Sequence, residues 1–465
     1  MRAFNANSGN TISAKSGMIG RVALGMALAA ATLTGGVDAM AKDKPAAVPA
    51  GKATANSKEF ATAAAPLQKT LADARPAIDK FNAAPVGAAK DAALGELKAV
   101  MAGAPPQLAV AEAAVKTPGD RLLLGQWGSM VGSVLGDAKL MQHALQNVID
   151  SGVAPDDRIP GYRFQLGNSA YANKDYAGAI AALTPLVAGN FSDNAAAEIL
   201  ADSYAKQGQP AQGLAAMKVA VDARRAAGGT VPDSWFTRAN TIAYSASPKL
   251  STEGVQWAQM MVAANPTPLN WLGAAQLVRL YGNYGSQDTV DISRLMFRTG
   301  ALNGKSKDIE REYVEYLQAA DPRRLPGEVV KVGDAAIAAG ALRATDTFVA
   351  DSLTQARGRV AADKASLPAA AKSAQASPTG VLAMATGDGF LSYGMDAQAE
   401  ELYKLAIQKG GVDKDKATLR LGIAQSDAGK TAEAKATFGT VAGKSAPIAK
   451  LWSTYLDAKA VGKAG

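Results

Sequence analysis

Between Leu166 and Val221 apolar and small residues recur on a helical beat, and the beat itself repeats. The segment LGNSAYANKDYAGAIAALTPLV returns 34 residues later as LADSYAKQGQPAQGLAAMKVAV, so Leu166 falls on Leu200, Gly167 on Ala201, Ala179 on Gly213 and Leu186 on Ala220. Apolar positions three and four apart mark one face of a helix. A fixed period of this length, with small residues at set offsets, marks stacked helical hairpins. The same offsets hold at Leu124, Gly125 and Ala144 in the stretch from Pro118. Trp235 and Trp271 then each open a further unit, and starts near 160, 194, 232 and 268 place the excess over 34 in loops such as SASPKLS. From Ser306 to Thr379 the signature fades while helical periodicity persists. Helices are expected over 307–320, 326–339 and 345–361, followed by a looser Ala/Pro/Ser stretch. Ile309, Tyr313, Tyr316 and Leu317 form an apolar stripe there that needs covering. The pattern returns at Gly387 with Ala399, Tyr403 and Ala406, then 35 residues on with Leu421, Gly422, Ala434 and Phe438.

The ends differ. Phe60, Ala64, Leu67, Leu71, Ala74, Ile78 and Phe81 recur at alternating spacings of four and three. That stripe suits a coiled coil, but Pro66 and Pro76 lie inside it and break or kink helices. The reading favoured is one or two amphipathic helices packed on the end of the array. Pro447 to Ala458 reads as a closing helix. The expected organisation is a signal peptide (1–41), a disordered linker (42–56), an N-terminal helical cap (57–117), an array (118–303), degenerate repeats (304–379), a C-terminal pair (380–444), and a capping helix with tail (445–465).

With Pro160 as position 1, Leu166, Gly167 and Ala179 stand at positions 7, 8 and 20. With Asn194 as position 1, Leu200, Ala201, Tyr204 and Ala220 stand at 7, 8, 11 and 27. These offsets resemble the tetratricopeptide repeat family, in which two antiparallel helices approach to about 8–10 Å where small residues meet. Arg163 stands where the family has Trp, and Phe191 where it has its closing Pro. The resemblance implies an all-α superhelical solenoid of antiparallel helix pairs, roughly 18–22 helices in all.

Composition narrows the function. The chain of 465 residues is 48% hydrophobic but only 6% aromatic, which suits a thin helical core. It has no cysteine and one histidine, His143, so thiolate chemistry, disulfides and multi-histidine metal sites are excluded. Basic Arg2, Lys15 and Arg21 precede the apolar run Val22 to Leu33, and Ala39-Met40-Ala41 follows as a cleavage site. The run is shorter than the ~20 residues a spanning helix needs. The expectation is export to the periplasm of a Gram-negative bacterium, with no membrane span left after cleavage; the alternative is an uncleaved anchor. Beyond Ala41 there remain 46 basic and 40 acidic side chains, a net of +6 without a basic run, which disfavours nucleic acid.

Candidate chemistry is thin. The triplets Gly304-Lys305-Ser306, Gly429-Lys430-Thr431 and Gly443-Lys444-Ser445 lack the first glycine of a phosphate loop at the required spacing. His143 is the one possible triad base and stands beside a packing alanine. Asp156-Asp157 and Glu310/Glu312 read as surface or helix-start charges. No enzyme activity and no cofactor are expected.

The resemblance implies that the first helix of each repeat lines a groove through positions 5, 9 and 12 or 13. Here those are Phe164, Asn168 and Tyr171; Glu198, Asp202 and Lys206; and Phe236, Asn240 and Tyr244. Aromatics beside amides suit an extended or helical peptide, although Phe164 and Phe236 fit the inter-repeat core equally well. The functional expectation is a non-enzymatic exported scaffold holding a protein or peptide partner, with a role in envelope assembly or maintenance. The alternative is a glycan-binding module associated with an envelope enzyme. Oligomeric state is not legible.

Overall fold

The computed structural model describes residues 55–462. The expected signal peptide and almost all of the linker lie outside the described residues. Among them the fold is all-α: twenty-two α-helices, two 3-10 turns and no strand. They fall into two compact units divided between Val231 and Pro232, inside the stretch expected as one array.

Unit 1 contains α1 (Lys58–Asp73), α2 (Arg75–Ala83), α3 (Ala88–Met101), α4 (Ala104–Glu112), α5 (Pro118–Leu135), α6 (Ala138–Asp150), α7 (Ile159–Ala172), α8 (Tyr176–Ala188), α9 (Ala197–Lys206) and α10 (Pro210–Ala226). All seven residues of the N-terminal stripe are buried against α3, α4 and α5, and the Phe60 ring stacks on Trp127 at 6.2 Å. Pro66 sits inside α1 without ending it; the break comes at Ala74, and Pro76 falls in the first turn of α2. Burial of Phe60, Ala64, Leu67 and Leu71 outweighs the one backbone bond that Pro66 removes. The start of α1 is tied to the start of α5 by Asp120. Its buried carboxylate accepts from Ser57 N and Oγ (both 2.8 Å) and from Lys116 N and Thr117 N (both 3.0 Å). Burial alone would raise this carboxyl, but these donors hold it below the usual carboxylate range.

The hairpins explain their small residues. A Cβ on Gly167 would lie 2.3 Å from Leu183, one on Gly422 2.4 Å from Phe438, and one on Gly387 3.0 Å from Tyr403. Each pair is sixteen residues apart, position 8 of the first helix facing position 24 of the second. Gly213 does the converse, a Cβ there meeting the Ala201 carbonyl at 2.6 Å.

Unit 2 contains α11 (Asp233–Ser245), α12 (Ser251–Ala264), α13 (Pro268–Gly282), α14 (Ser286–Arg298), α15 (Lys307–Ala320), α16 (Pro326–Ala338), α17 (Thr347–Ala376), α18 (Val381–Ser392), α19 (Asp396–Lys409), α20 (Lys414–Asp427), α21 (Thr431–Gly439) and α22 (Ala446–Ala460). The stripe Ile309, Tyr313, Tyr316 and Leu317 is buried. The stretch expected to be loose is instead helical: α17 runs for 30 residues through Pro368. Alanine and lysine favour helix there, and buried Leu367 and Ala374 anchor its second half.

The closing helix and the 3-10 turn Gly443–Ser445 before it do more than cap α21. Gln259 Nε2 of α12 donates to the Pro447 carbonyl (3.4 Å), Tyr284 OH donates to the Lys444 carbonyl (3.0 Å), and Lys444 Nζ donates to the Asn283 carbonyl (2.7 Å). Tyr455 meets the Trp271 ring of α13 edge-on at 6.4 Å. The last helix of unit 2 therefore packs on its early helices, and the array within this unit is closed.

Candidate partner-binding faces and a buried charge network

In unit 1 the first helices of the central hairpins are α7 and α9. Phe164, Asn168 and Tyr171 lie on one face of α7, all half-buried. On α9, Glu198 is half-buried, Asp202 is buried and Lys206 is exposed. Tyr171 OH donates to Asp202 Oδ2 at 2.5 Å, joining the two first helices and fixing the ring. Phe164 packs against Phe191 with centroids 6.1 Å apart. Phe191 projects from a turn whose next three residues, Ser192 to Asn194, all have positive φ.

Phe236, Asn240 and Tyr244 sit on α11, in unit 2. Phe236 is fully buried under α12, its ring 6.1 Å from that of Trp257, so of its two possible roles it takes the core one. Asn240 is also buried, at 1% exposure, and neither atom of its amide has a hydrogen-bond partner. Tyr244 stays half-buried with Lys249 Nζ 3.8 Å above its ring. Neither Phe236 nor Asn240 presents a surface to a partner.

Beyond their first turns, where Val381, Leu382, Ala385 and Lys414 are exposed, the later first helices of unit 2 have no wet face. Every residue from Thr386 to Ser392 in α18 and from Ala417 to Ser426 in α20 is buried. A helix lining an open groove keeps a polar, solvated side. Here that side is filled by a charge network that the sequence pattern did not disclose. Arg420 donates from Nε to both oxygens of Asp291 (3.2 and 3.1 Å), from Nη1 to Asp388 (2.9 and 2.7 Å) and from Nη2 to the Gln287 carbonyl (3.1 Å). Arg294 donates to Asp291 (3.0 Å) and, with two nitrogens, to Glu328 (2.8 and 2.6 Å). Tyr316 and Tyr403 donate to Glu328 (2.6 Å) and Asp388 (2.9 Å). Arg298 forms a two-pronged pair with Asp427. Asp291, Asp388 and Glu328 thus meet Arg294 and Arg420 in the dry interior, with the half-buried Arg298–Asp427 pair at its edge.

The electrostatics follow from burial. Desolvation pushes the Asp291 carboxyl up despite Arg420 and Arg294. For Glu328 burial acts the same way, but the Arg294 guanidinium outweighs it and the carboxyl lies below its ordinary value. Tyr316 and Tyr403 are raised by burial. Asp291, Arg294, Glu328, Asp388 and Arg420 are buried and bonded to one another.

Other candidates resolve similarly. Glu312, expected at the surface, is buried and accepts from Gln276 and Arg279 (both 2.8 Å); Glu310 alone is near the surface, paired with Lys307 at 3.2 Å. His143 is exposed, its Nε2 2.5 Å from Glu112 and 3.3 Å from Asn147 Nδ2. The three Gly-Lys-Ser/Thr triplets lie where α15, α21 and α22 begin. Lys430 pairs with the buried Glu400 (2.9 Å), and Lys404 does so at 2.8 Å. Burial would raise Glu400, but those lysines and Gln425 bring it down to about 2. Its folded value is below its unfolded one, so its contribution to stability is present above the ordinary glutamate range and is lost as pH falls toward 2. Glu400→Gln should flatten the acid-denaturation curve of unit 2 between about pH 4.5 and 2, followed by circular dichroism; an unchanged curve would contradict this role.

Among the described residues no cluster of three metal-ligating side chains occurs, and no helix is long and apolar enough to cross a membrane. No family model and no curated protein matches the sequence. Among solved structures, the chain is similar to one described as Naa15/Naa10 bound to HypK-THB, at 11% identity and a TM-score of 0.24, with 87% of this chain and 73% of that one covered. It is also similar to the TPR domain of P58(IPK), at 14% identity and a TM-score of 0.20, with 80% and 99% covered. The class assigned here, an all-α chain of antiparallel helical hairpins, stands on its own packing.

Proposed function

We propose that the chain is a non-enzymatic scaffold that takes a protein or peptide partner on the first-helix face of unit 1, in the periplasm of a Gram-negative bacterium. The observation that carries the choice of face is the contrast between the units. Past their exposed first turns, α18 and α20 are buried on every side over 386–392 and 417–426, whereas α7 and α9 keep Phe164, Asn168, Tyr171 and Lys206 at least partly open along their length. Half-buried aromatics beside an amide offer area and a backbone hydrogen bond to an extended or helical segment. The export signal read in residues 1–41 supports the location, and the closed network supports unit 2 as a rigid supporting body.

The test is crosslinking and affinity recovery from an envelope fraction with wild type, Asn168→Ala and Lys206→Glu. Both substitutions should leave the melting temperature nearly unchanged, since a surface change costs within ~0.5 kcal/mol, and both should cut partner recovery severalfold. Undiminished recovery with both variants removes this face from binding. Recovery of glycan without protein would replace the reading with a sugar-binding one.

A further inference from the structure

The other side of the same hairpin carries a notch that the groove reading does not use. It has a volume of about 180 Å³ and lies between α6, α7 and α8, with Ile149, Leu166 and Ala182 as apolar walls and Gln142, Arg163 and Asp175 as polar ones. A helix advances about 100° per residue, so Arg163 and Leu166 face well away from the side that carries Phe164, Asn168 and Tyr171.

The polar groups differ in how far they are satisfied. Asp175 accepts from Gln142 Nε2 (2.5 Å) through one oxygen and from Gly178 N (2.9 Å) through the other. Gln142 Oε1 accepts from Asn173 Nδ2 (2.7 Å). Arg163, half-buried, has neither a carboxylate nor a carbonyl partner among the described residues. Other arginines with little exposed side chain are engaged: Arg279 with Glu312 and Glu315, Arg298 with Asp427, and Arg224 with the Thr230 carbonyl. A guanidinium held partly out of water without an acceptor is a poorly satisfied cation, and a planar carboxylate is the group its fork matches best. The volume is below the range of roughly 300–1,000 Å³ typical of cofactor and drug-sized sites. It suits one side chain, with methylenes against Leu166 and Ala182 and the charge at Arg163.

We propose that this notch is a second docking point, taking a glutamate or aspartate side chain of an acidic segment on the protein partner. It rests on the reading of the chain as a protein-binding scaffold, but it can be tested without that partner. The probe is N-acetylglutamate amide, with N-acetylglutamine amide as the neutral control, titrated into the full-length protein at millimolar concentration. The readout is the side-chain Nε–H resonance of Arg163, assigned by its loss in Arg163→Gln. Saturable movement of that resonance with the glutamate probe, and none with the glutamine probe, is the expected result. The Leu166 methyl resonances should respond in parallel. Their movement should weaken about tenfold or more in Arg163→Gln, the loss of one charge-assisted pair, and by less in Arg163→Lys, which keeps the charge but not the fork. Both variants should melt as wild type does. No saturable shift, or equal shifts with the two probes, overturns the notch; normal partner recovery with Asn168→Ala and Lys206→Glu overturns the first-helix face instead.

Discussion

Replacing Arg420 with methionine should destabilise unit 2 by about 3–5 kcal/mol, the cost of leaving buried charges without their partner. Arg420 is the one side chain that bridges Asp291 of α14 and Asp388 of α18. Its removal leaves Asp291 with Arg294 alone and Asp388 with the neutral Tyr403 hydroxyl, both buried. A loss of this size is a large share of the roughly 5–15 kcal/mol that holds a domain together. Chemical denaturation followed by tryptophan fluorescence should show it as a large drop in midpoint. The pH dependence gives an independent check. Burial already raises the Asp291 carboxyl, so the folded state holds a proton there more readily than the unfolded chain does. Arg420 holds that carboxyl down, so its loss raises it further; lowering pH then favours the folded variant more than the wild type, and the deficit should shrink as pH falls from neutral toward the carboxylate range. A loss under ~1 kcal/mol, the worth of a surface pair, would mean the network is wetter than its burial implies.

What was legible in the sequence divides by range. The position-8 glycines and their large partners are sixteen residues apart within one hairpin, and local period exposes them. The N-terminal stripe was readable for the same reason, because burial on one helix face leaves its mark at three- and four-residue spacing. Closure of unit 2 was not readable. Asp291 and Arg420 are 129 residues apart, and a charged residue on a helix looks solvated until its partner is placed. Glu312 misled in the same way. The pair Phe164 and Phe236 shows another limit. Both occupy position 5, yet Phe236 is fully buried with Trp257 of α12 against it, while Phe164 stays half-buried against Phe191 of a turn. Which fate applies depends on the packing of the neighbouring element, not on the residue. In the sequence Arg163 is only a departure from tryptophan, and the notch behind it needs three helices in place.

Trp452→Ala should cost about 3–5 kcal/mol, the range for emptying a large aromatic site in a core; the distribution of that loss is the sharper prediction. Trp452 is fully buried in α22. Its ring stacks on Phe438 at 6.1 Å, meets Tyr455 edge-on at 6.0 Å and lies under the Arg298 guanidinium at 5.4 Å. Its Nε1 donates to the Asp291 carbonyl at 3.2 Å. One indole thus touches α14, near the beginning of unit 2, and α21, near its end. In an open array of repeats each unit leans only on its neighbours, and damage to the last helix frays the last hairpin. In a closed unit it must also loosen the helices to which that helix returns. Hydrogen exchange should therefore show protection falling in α12, α13 and α14 together with α20 and α21, as one cooperative opening. Loss confined to α20 and α21 would mean that α22 is an ordinary cap. Unit 2 would then behave as an open solenoid despite its bonds from Lys444, Trp452 and Tyr284.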